Sequence, residues 1–278
     1  MPTPGLSLFG FMTAQHALMY LRNSCDVGSQ TDAQLLALWN TSRQNIIGGP
    51  PNAGNPQITA IPQAQNGHIQ SLMTGPWQAT LNQNPTWDFK LVEIAPLLAF
   101  QFSILRHKTN GHCQHLPKQP ALSDLIDICL PLAPSNENLS VSHLPQSILI
   151  RGRNLNLQAI ETGMIGPNAL GLTFGFSVPF VHVVRFNGNC YLHNGFHRVY
   201  GAALAGATEV PCVFRDVTDP ISAGIRADGA TFDQALLESP DPPTMHHFVS
   251  GQATQIDLKL MSRVINVSWS DYVVPDEY

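Results

Sequence analysis

Apolar residues recur at helical spacing in two stretches near the start of the chain. Residues 10–21 read as a short apolar helix and 31–46 as a second, in which Leu35, Leu38 and Trp39 share a face. Thr31 with Gln34 has the spacing of a capping box. Gly48-Gly49-Pro50-Pro51 ends that helix, because two glycines and two prolines do not continue one. Residues 52–86 are rich in Asn, Gln, Gly and Pro and read as an irregular, amide-decorated segment, partly helical around 69–72. Residues 88–94 suit a buried strand and 99–105 another. Ser123 is predicted to cap a helix over 124–130, which Pro131 ends.

From Ser147 onward the pattern shifts toward strands, at 148–150 and 155–160, with the glycine-spaced residues 163–175 read as loop. A strand over 181–186 is followed by Asn187-Gly188, a pair that accepts the positive φ of a tight hairpin, and by a return strand over 190–193. A helix over 196–205 with Gly206 beyond its end, and a strand over 210–217, come next. Residues 221–237 read as helical in their latter part, 232–237. Pro240, Pro242 and Pro243 form a rigid linker, and 256–260 with 263–269 form a C-terminal hairpin. No internal repeat is visible. The expected class is α+β: a small mixed sheet in the C-terminal half, with the N-terminal helices docked on it. A mainly helical region 1–146 and a region 147–278 are the expected division, weakly marked around 135–147, and a single domain stays open as the alternative.

Composition sharpens this picture. Charged residues make up 12% of the 278 residues, about half the ~25% of an ordinary soluble protein. The polar surface must therefore rest on Asn, Gln, Ser and Thr, and so little charge suggests extensive burial, self-association included. A net charge of −5 opposes a broad electrostatic grip on nucleic acid, which needs clustered Lys and Arg. Cys25, Cys113, Cys129, Cys190 and Cys212 are scattered and odd in number, which favours a reducing cytoplasm over a disulfide framework. The apolar first 21 residues carry no Lys or Arg before Arg22, and Gln15 and His16 interrupt them, so a signal peptide is not expected. No membrane span is expected either: the best stretch, 91–102, is broken by Glu93, Pro96 and Gln101.

Candidate chemistry concentrates at Asn194-Gly195-Phe196-His197-Arg198, where a predicted strand turns directly into a helix. Asn194 can cap the first turn. Gly195 allows close approach to the backbone, and the first amides and dipole of the helix favour an anion. His197 and Arg198 add donors, and Arg198 can hold a phosphate with two parallel hydrogen bonds. Phe196, Val199, Tyr200 and Ala203 follow at helical spacing and would pin the helix on the sheet, with Ala202, Ala203 and Ala205 allowing close packing. A buried Phe196 would contribute stability; an exposed one would line a pocket.

Residues 192–198, then Ala202-Ala203-Leu204-Ala205-Gly206, then Glu209-Val210-Pro211-Cys212-Val213-Phe214, resemble the signature of the ParB/sulfiredoxin superfamily, and Val178-Pro179-Phe180-Val181 is similar to the strand start of such domains. The likeness covers about forty residues. The flanks Leu116-Pro117-Lys118, Cys129-Leu130-Pro131 and Asp241-Pro242-Pro243 resemble those of an uncharacterised bacterial group carrying this domain. The resemblance implies a turn that contacts the phosphates of ATP or CTP, with Mg²⁺, through Gly195, His197 and Arg198. Phe196 stands where sulfiredoxins have their catalytic Cys and ParB proteins an acidic residue. That rules out sulfiredoxin chemistry at this position and puts CTP hydrolysis in doubt.

Three function classes follow: a nucleotide- or phosphate-binding protein, either an NTP-dependent enzyme or a nucleotide-gated regulator; a DNA-binding or DNA-processing ParB-like protein, which the charge balance disfavours; and a non-catalytic interaction protein, which Phe196 permits. Weaker constellations surround this site. His107, His112, Cys113 and His115 lie close together but match no standard zinc spacing, so no metal is assigned. His182 and His193 would face each other across the hairpin if the register allows, and His246-His247 would point apart on a strand. Asp124 and Asp127 share a helix face and read as solvated. Arg151 and Arg153 could complete a phosphate pocket or pair with Asp216 and Asp219. Trp39, Trp77, Trp87 and Trp269 are too dispersed for a base-stacking platform.

Overall fold

A computed structural model describes residues 3–133, 139–152, 157–166, 169–176, 178–225 and 231–272. In chain order, β1 (Thr3–Ser7) leads through a short 3₁₀ turn, Phe9–Phe11, into α1 (Ala14–Ser24) and α2 (Asp32–Gln44). Then come β2 (Ile58–Ala60), α3 (Asn66–Thr74), α4 (Gln78–Gln83), β3 (Asp88–Glu93), β4 (Ser103–Leu105), α5 (Arg106–Cys113) and α6 (Leu122–Cys129). Four strands follow, β5 (Leu139–Leu144), β6 (Ser147–Gly152), β7 (Leu157–Gly166) and β8 (Ala169–Phe176), and then β9 (His182–Phe186), β10 (Asn189–Asn194), α7 (Phe196–Leu204) and β11 (Glu209–Asp216). The chain closes with α8 (Pro220–Ala223), α9 (Gln234–Leu237), α10 (Met245–Val249), β12 (Thr254–Leu258) and β13 (Arg263–Ser268). The class is mixed α+β, with several small sheets.

The chain divides into two compact units. The larger comprises Met1–Pro134 with Pro179–Lys259, and the smaller Ser135–Val178 with Leu260–Tyr278. A single boundary at 146 does not describe this division, because β13 returns from the C-terminal end to pair with β6. The larger unit holds a five-stranded sheet, β10-β9-β11-β3-β2, and a three-stranded sheet, β12-β1-β4. The smaller holds the sheet β13-β6-β5 and the two-stranded β7-β8.

Local chemistry explains most boundaries. Thr31 caps α2 with the full capping box to Gln34. The first helix starts later than the apolar pattern suggests, at Ala14, because the Thr13 hydroxyl accepts from the His16 amide. For α6 the cap is Ala121 rather than Ser123: the Asp124 carboxylate accepts from the Ala121 amide at 2.9 Å. The strand expected over 99–105 is confined to Ser103–Leu105. Asn187 and Gly188 both take positive φ, at 49° and 81°, and close the β9–β10 hairpin. The end of α7 is a Schellman motif: Gly206, at φ 101°, donates to the Ala203 carbonyl and Ala207 to that of Ala202.

Two further expectations fail. Residues 163–166 and 169–175 are not loop but lie in the paired strands β7 and β8, with 167 and 168 outside the described residues; Leu170, Leu172, Phe174 and Phe176 alternate with Gly171, Thr173 and Gly175, a period-two pattern that the glycines disguise. The C-terminal strands exist but form no hairpin, since β12 pairs with β1 and β13 with β6. Alternation marks a strand and leaves its partner open.

The five-stranded sheet organises the larger unit. β9 and β11 run parallel at its centre, and β11 pairs antiparallel with β3. α7 and α6 both pack on β11 and on each other, and α5 packs on α7. Val183, Val184, Tyr191, Leu192, Val199, Ala202, Val210 and Cys212 are buried.

Candidate functional site

Gly195 is the N-cap of α7 and sits at φ 96°, a left-handed conformation that favours glycine. A Cβ there would stand 2.8 Å from Val181 Cγ2 and 3.1 Å from Val181 Cα. The close approach that the glycine permits is thus to Val181, the residue immediately before β9. Asn194 does not cap the first turn of α7; its side-chain oxygen accepts from the Gly195 amide at 2.8 Å and stabilises the turn itself. Phe196 is buried, with its ring edge-on to Phe100 at 5.6 Å.

His197 and Arg198 point into the protein. His197 Nε2 accepts a hydrogen bond from the Leu105 amide at 3.1 Å, so that nitrogen carries no proton. Burial, reinforced by Lys108 and the neighbouring histidines, pushes the His197 pKa down to about 3. Arg198 is 8% exposed. Its guanidinium donates to the carbonyls of Ile128, at 3.2 Å, and Pro179. Ile128 lies in the last turn of α6, whose carbonyls lack partners within the helix. The rest of that end is satisfied the same way: Cys129 accepts from the Val181 amide at 2.8 Å, Leu130 from His68 at 2.8 Å, and Pro131 from the Trp77 indole at 2.9 Å. A cation at a helix C-terminus is also favoured by the dipole. The Asn194–Arg198 signature therefore joins β10, α7, the end of α6 and the start of β9. A phosphate grip by His197 and Arg198 is not what this geometry supports.

The other face of the sheet holds a different cluster. His182 is opposite Asn194 in the β9–β10 register and beside Val213 on β11, so His182, Val184, Val213 and Arg215 share one face. Phe89 of β3 pairs with Val213, and Trp87 stands two residues before it. The Trp87 and His182 rings are 5.1 Å apart, as are those of His182 and His193. The two histidines do face each other across the hairpin. His193 Nδ1 donates to the Ala223 carbonyl at 3.2 Å, and Arg215 Nη2 donates to that of Ser222 at 3.1 Å, so α8 roofs the cluster. Asp219 caps α8 through the Ser222 amide at 2.8 Å.

Three nitrogens here lack a partner: Trp87 Nε1, His182 Nε2 and Arg215 Nε. Native proteins leave few such groups unpaired, and these are three of the five among the described residues. His182 is 6% exposed. Burial, with His193 and Arg215 adding to it, lowers its pKa to about 2. Arg215 and Trp87 are only partly buried, so the cluster reaches the surface through them. The sequence singled out His182 and His193 but missed Trp87 and Arg215. The period-two rule along β11, counted from Val213, would have placed Arg215 on this face.

The remaining candidates disperse. His107, His112 and Cys113 lie on α5, the Cys113 thiol donating to the Arg198 carbonyl at 3.8 Å. No group of three His, Cys, Asp or Glu among the described residues could hold a metal. His246 and His247 are on α10, not on a strand. Asp216 is held by Arg185 at 2.6 and 3.0 Å, Arg151 is exposed on β6, and Arg153 lies outside the described residues. A cavity of about 220 Å³ between Gly49–Ala53 and 237–242 is walled by Glu238 and Asp241, which repel anions. Among the described residues no helix is long and apolar enough to cross a membrane. No family model, curated protein or solved structure matches this chain.

Proposed function

We propose that the protein binds a phosphate-bearing small molecule at the end of the five-stranded sheet where β10 turns into α7, and that this part of the chain is akin to the ParB/sulfiredoxin superfamily. The observation that supports the reading is the set of three unpartnered nitrogens, Trp87 Nε1, His182 Nε2 and Arg215 Nε, on side chains grouped around His182, which itself lies opposite Asn194. An indole and a guanidinium only donate, so what completes such a site is a multiple acceptor, and phosphate oxygens pair with guanidinium in the strongest class of hydrogen bond. ATP and CTP are the first nucleotides to test. The donors present suit their phosphates. Asp216 is held by Arg185 and Asp219 caps α8, so no residue is assigned to Mg²⁺ and no reaction is assigned. A cytoplasmic setting belongs to the same proposal.

Calorimetry of the full chain with ATP, CTP and inorganic phosphate tests it. Binding to the wild type is expected, weakened about ten- to a hundred-fold in Arg215→Ala, the equivalent of about 1.5–3 kcal/mol for a hydrogen bond to a charged group. Absence of binding to the wild type, or equal binding by Arg215→Ala, overturns the site. A second reading, a non-catalytic interaction protein, is favoured by one observation: Phe196, His197 and Arg198 are all spent on holding the fold. DNA retention that falls steeply with salt would instead support nucleic-acid binding.

A further inference from the structure

Two buried polar atoms outside the His182 cluster also lack partners, the Tyr191 hydroxyl and His247 Nε2. Both side chains are fully buried, and both stand behind walls of the cavity of about 220 Å³ that Gly49, Asn189, Glu238 and Asp241 help to line. Tyr191 follows Asn189 on the same face of β10. Burial, and then the charge of Glu238, push the Tyr191 pKa up to about 12. On the His247 side, a Cβ at Gly49 would stand 3.2 Å from Cε1 and 3.7 Å from Nε2, so the absence of a side chain there leaves that ring edge open. His247 Nδ1 accepts from the Thr244 amide, so Nε2 carries the ring proton. Asp241 acts on this ring too, against the lowering by burial and His246. The hydroxyl comes near Asn189 and Nε2 near Gly48, and neither forms a hydrogen bond. Unpaired buried donors are rare in native proteins, and two beside one cavity point to something that enters it.

The wall selects the chemistry. Glu238 and Asp241 are its charged side chains, and no Lys or Arg lines it to compensate them. Glu238 Oε1 accepts from Gln234 at 2.9 Å and from Asn187 at 3.4 Å, which orients the carboxylate and leaves Oε2 without a partner among the described residues. Four of the eleven lining residues are prolines, which offer carbonyls but no backbone N–H. A ligand here must bring positively charged donors to the carboxylates and an acceptor to the Tyr191 and His247 protons. The two carboxylates repel an anionic acceptor but not a hydroxyl or carbonyl oxygen. A metal ion brings no acceptor, and no third His, Cys, Asp or Glu completes a metal site among the described residues. A cavity of roughly 150 Å³ accommodates benzene, so this one admits a compound about the size of a single sugar ring.

We infer that this cavity binds a small primary ammonium compound carrying a neutral oxygen acceptor, an amino sugar or an amino-acid amide, with the ammonium on Glu238 and Asp241 and the oxygen on Tyr191 and His247. The site shares no residue with the phosphate site around His182 and stands or falls separately from it.

Calorimetry of the full chain with glucosamine and with alaninamide tests this. At least one is expected to bind with a dissociation constant below about 1 mM, and the tighter of the two identifies the source. Glucose, which lacks the ammonium, and alanine, which adds a carboxylate, should bind at least about tenfold more weakly. Asp241→Asn and Glu238→Gln keep the shape at exposed positions, and each should weaken binding about tenfold. Tyr191→Phe is the sharper variant. Its hydroxyl has no partner in the unliganded fold, so removing it should hold or raise the thermal midpoint and still weaken amine binding. Arg215→Ala should leave amine affinity unchanged, which separates this site from the phosphate site. Failure of both amines to bind, equal binding of glucose or alanine, or equal binding by the two carboxylate variants overturns the proposal. A lower midpoint in Tyr191→Phe overturns it too, because the hydroxyl would then be bonded within the fold. Calcium binding that the carboxylate variants abolish, with neither amine bound, would reassign the cavity to a metal ion and also overturns it.

Discussion

Arg198 shows how one residue type can serve two opposite ends. The resemblance of the signature implies a phosphate donor; in the fold Arg198 is a buried cation whose acceptors are the Ile128 and Pro179 carbonyls. Arg198→Ala would leave both carbonyls unpaired and open a void, and unpaired buried groups cost about 1–3 kcal/mol each. A loss of about 2–5 kcal/mol is expected, read as a lower urea midpoint. Arg198→Lys should recover little of it, because an ammonium lacks the planar fork that spans two acceptors. A midpoint unchanged in Arg198→Ala, together with lost phosphate binding, would return Arg198 to the role the signature implies. Phe196→Ala is expected to cost about 3–5 kcal/mol as a buried ring and to leave ligand binding alone. The sequence showed these residues as a group, because strand, turn and helix periodicities converge on them. It did not show which way they face: a polar side chain next to a glycine turn reads the same whether its acceptor is a ligand or a carbonyl seventy residues away.

At the scale of elements, the strand–hairpin–strand–helix–strand run from β9 to β11 was legible, because each part carries its own local signal: Asn187-Gly188 for the turn, period two for the strands, Gly206 for the end of α7. Elements whose identity depends on distant partners were not. The β7–β8 pair was hidden by its glycines, and β12 and β13 alternate correctly yet pair with strands more than a hundred residues upstream. Helix packing adds a feature that the alanines only half announced. Gly201 is where α7 meets α5, and a Cβ there would stand 2.7 Å from Cys113 Cβ and 3.1 Å from Thr109 Cγ2. Gly201→Ala should therefore destabilise by about 1–3 kcal/mol through overpacking, although alanine is otherwise the better helix former. A thermal midpoint equal to or above that of the wild type would show that α5 can retreat at no cost.

For the whole molecule, sparse charge shifts the burden of pH dependence onto buried histidines. His247 is fully buried, and its Nδ1 accepts from the Thr244 amide at 3.0 Å; burial and His246 lower its pKa to about 4. His197 accepts from the Leu105 amide, and His182 is enclosed by Trp87, His193 and Arg215. All three are neutral in the folded state, with pKa values of about 4, 3 and 2, against roughly 6.5 in an unfolded chain. Below pH 6.5 the unfolded state binds protons that the folded state refuses, so stability rises with pH and falls as pH drops from 6.5 toward 4. Each such histidine contributes at most about 1.4 kcal/mol per pH unit, and three together about 4 kcal/mol per unit. Domains are stable by only about 5–15 kcal/mol, so the chain is expected to unfold between pH 6 and 4. Urea midpoints at pH 7.5, 6 and 5 check this. They should drop steeply, and His197→Gln, whose side-chain oxygen can still accept from Leu105 but does not titrate, should flatten the slope by at most about 1.4 kcal/mol per pH unit, the rest coming from His182, His247 and the likewise depressed His112 and His193. Midpoints that stay constant across that range would mean that the imidazoles open to water before they charge, and the buried cluster at His182 would then lose its claim to being a closed, preorganised site.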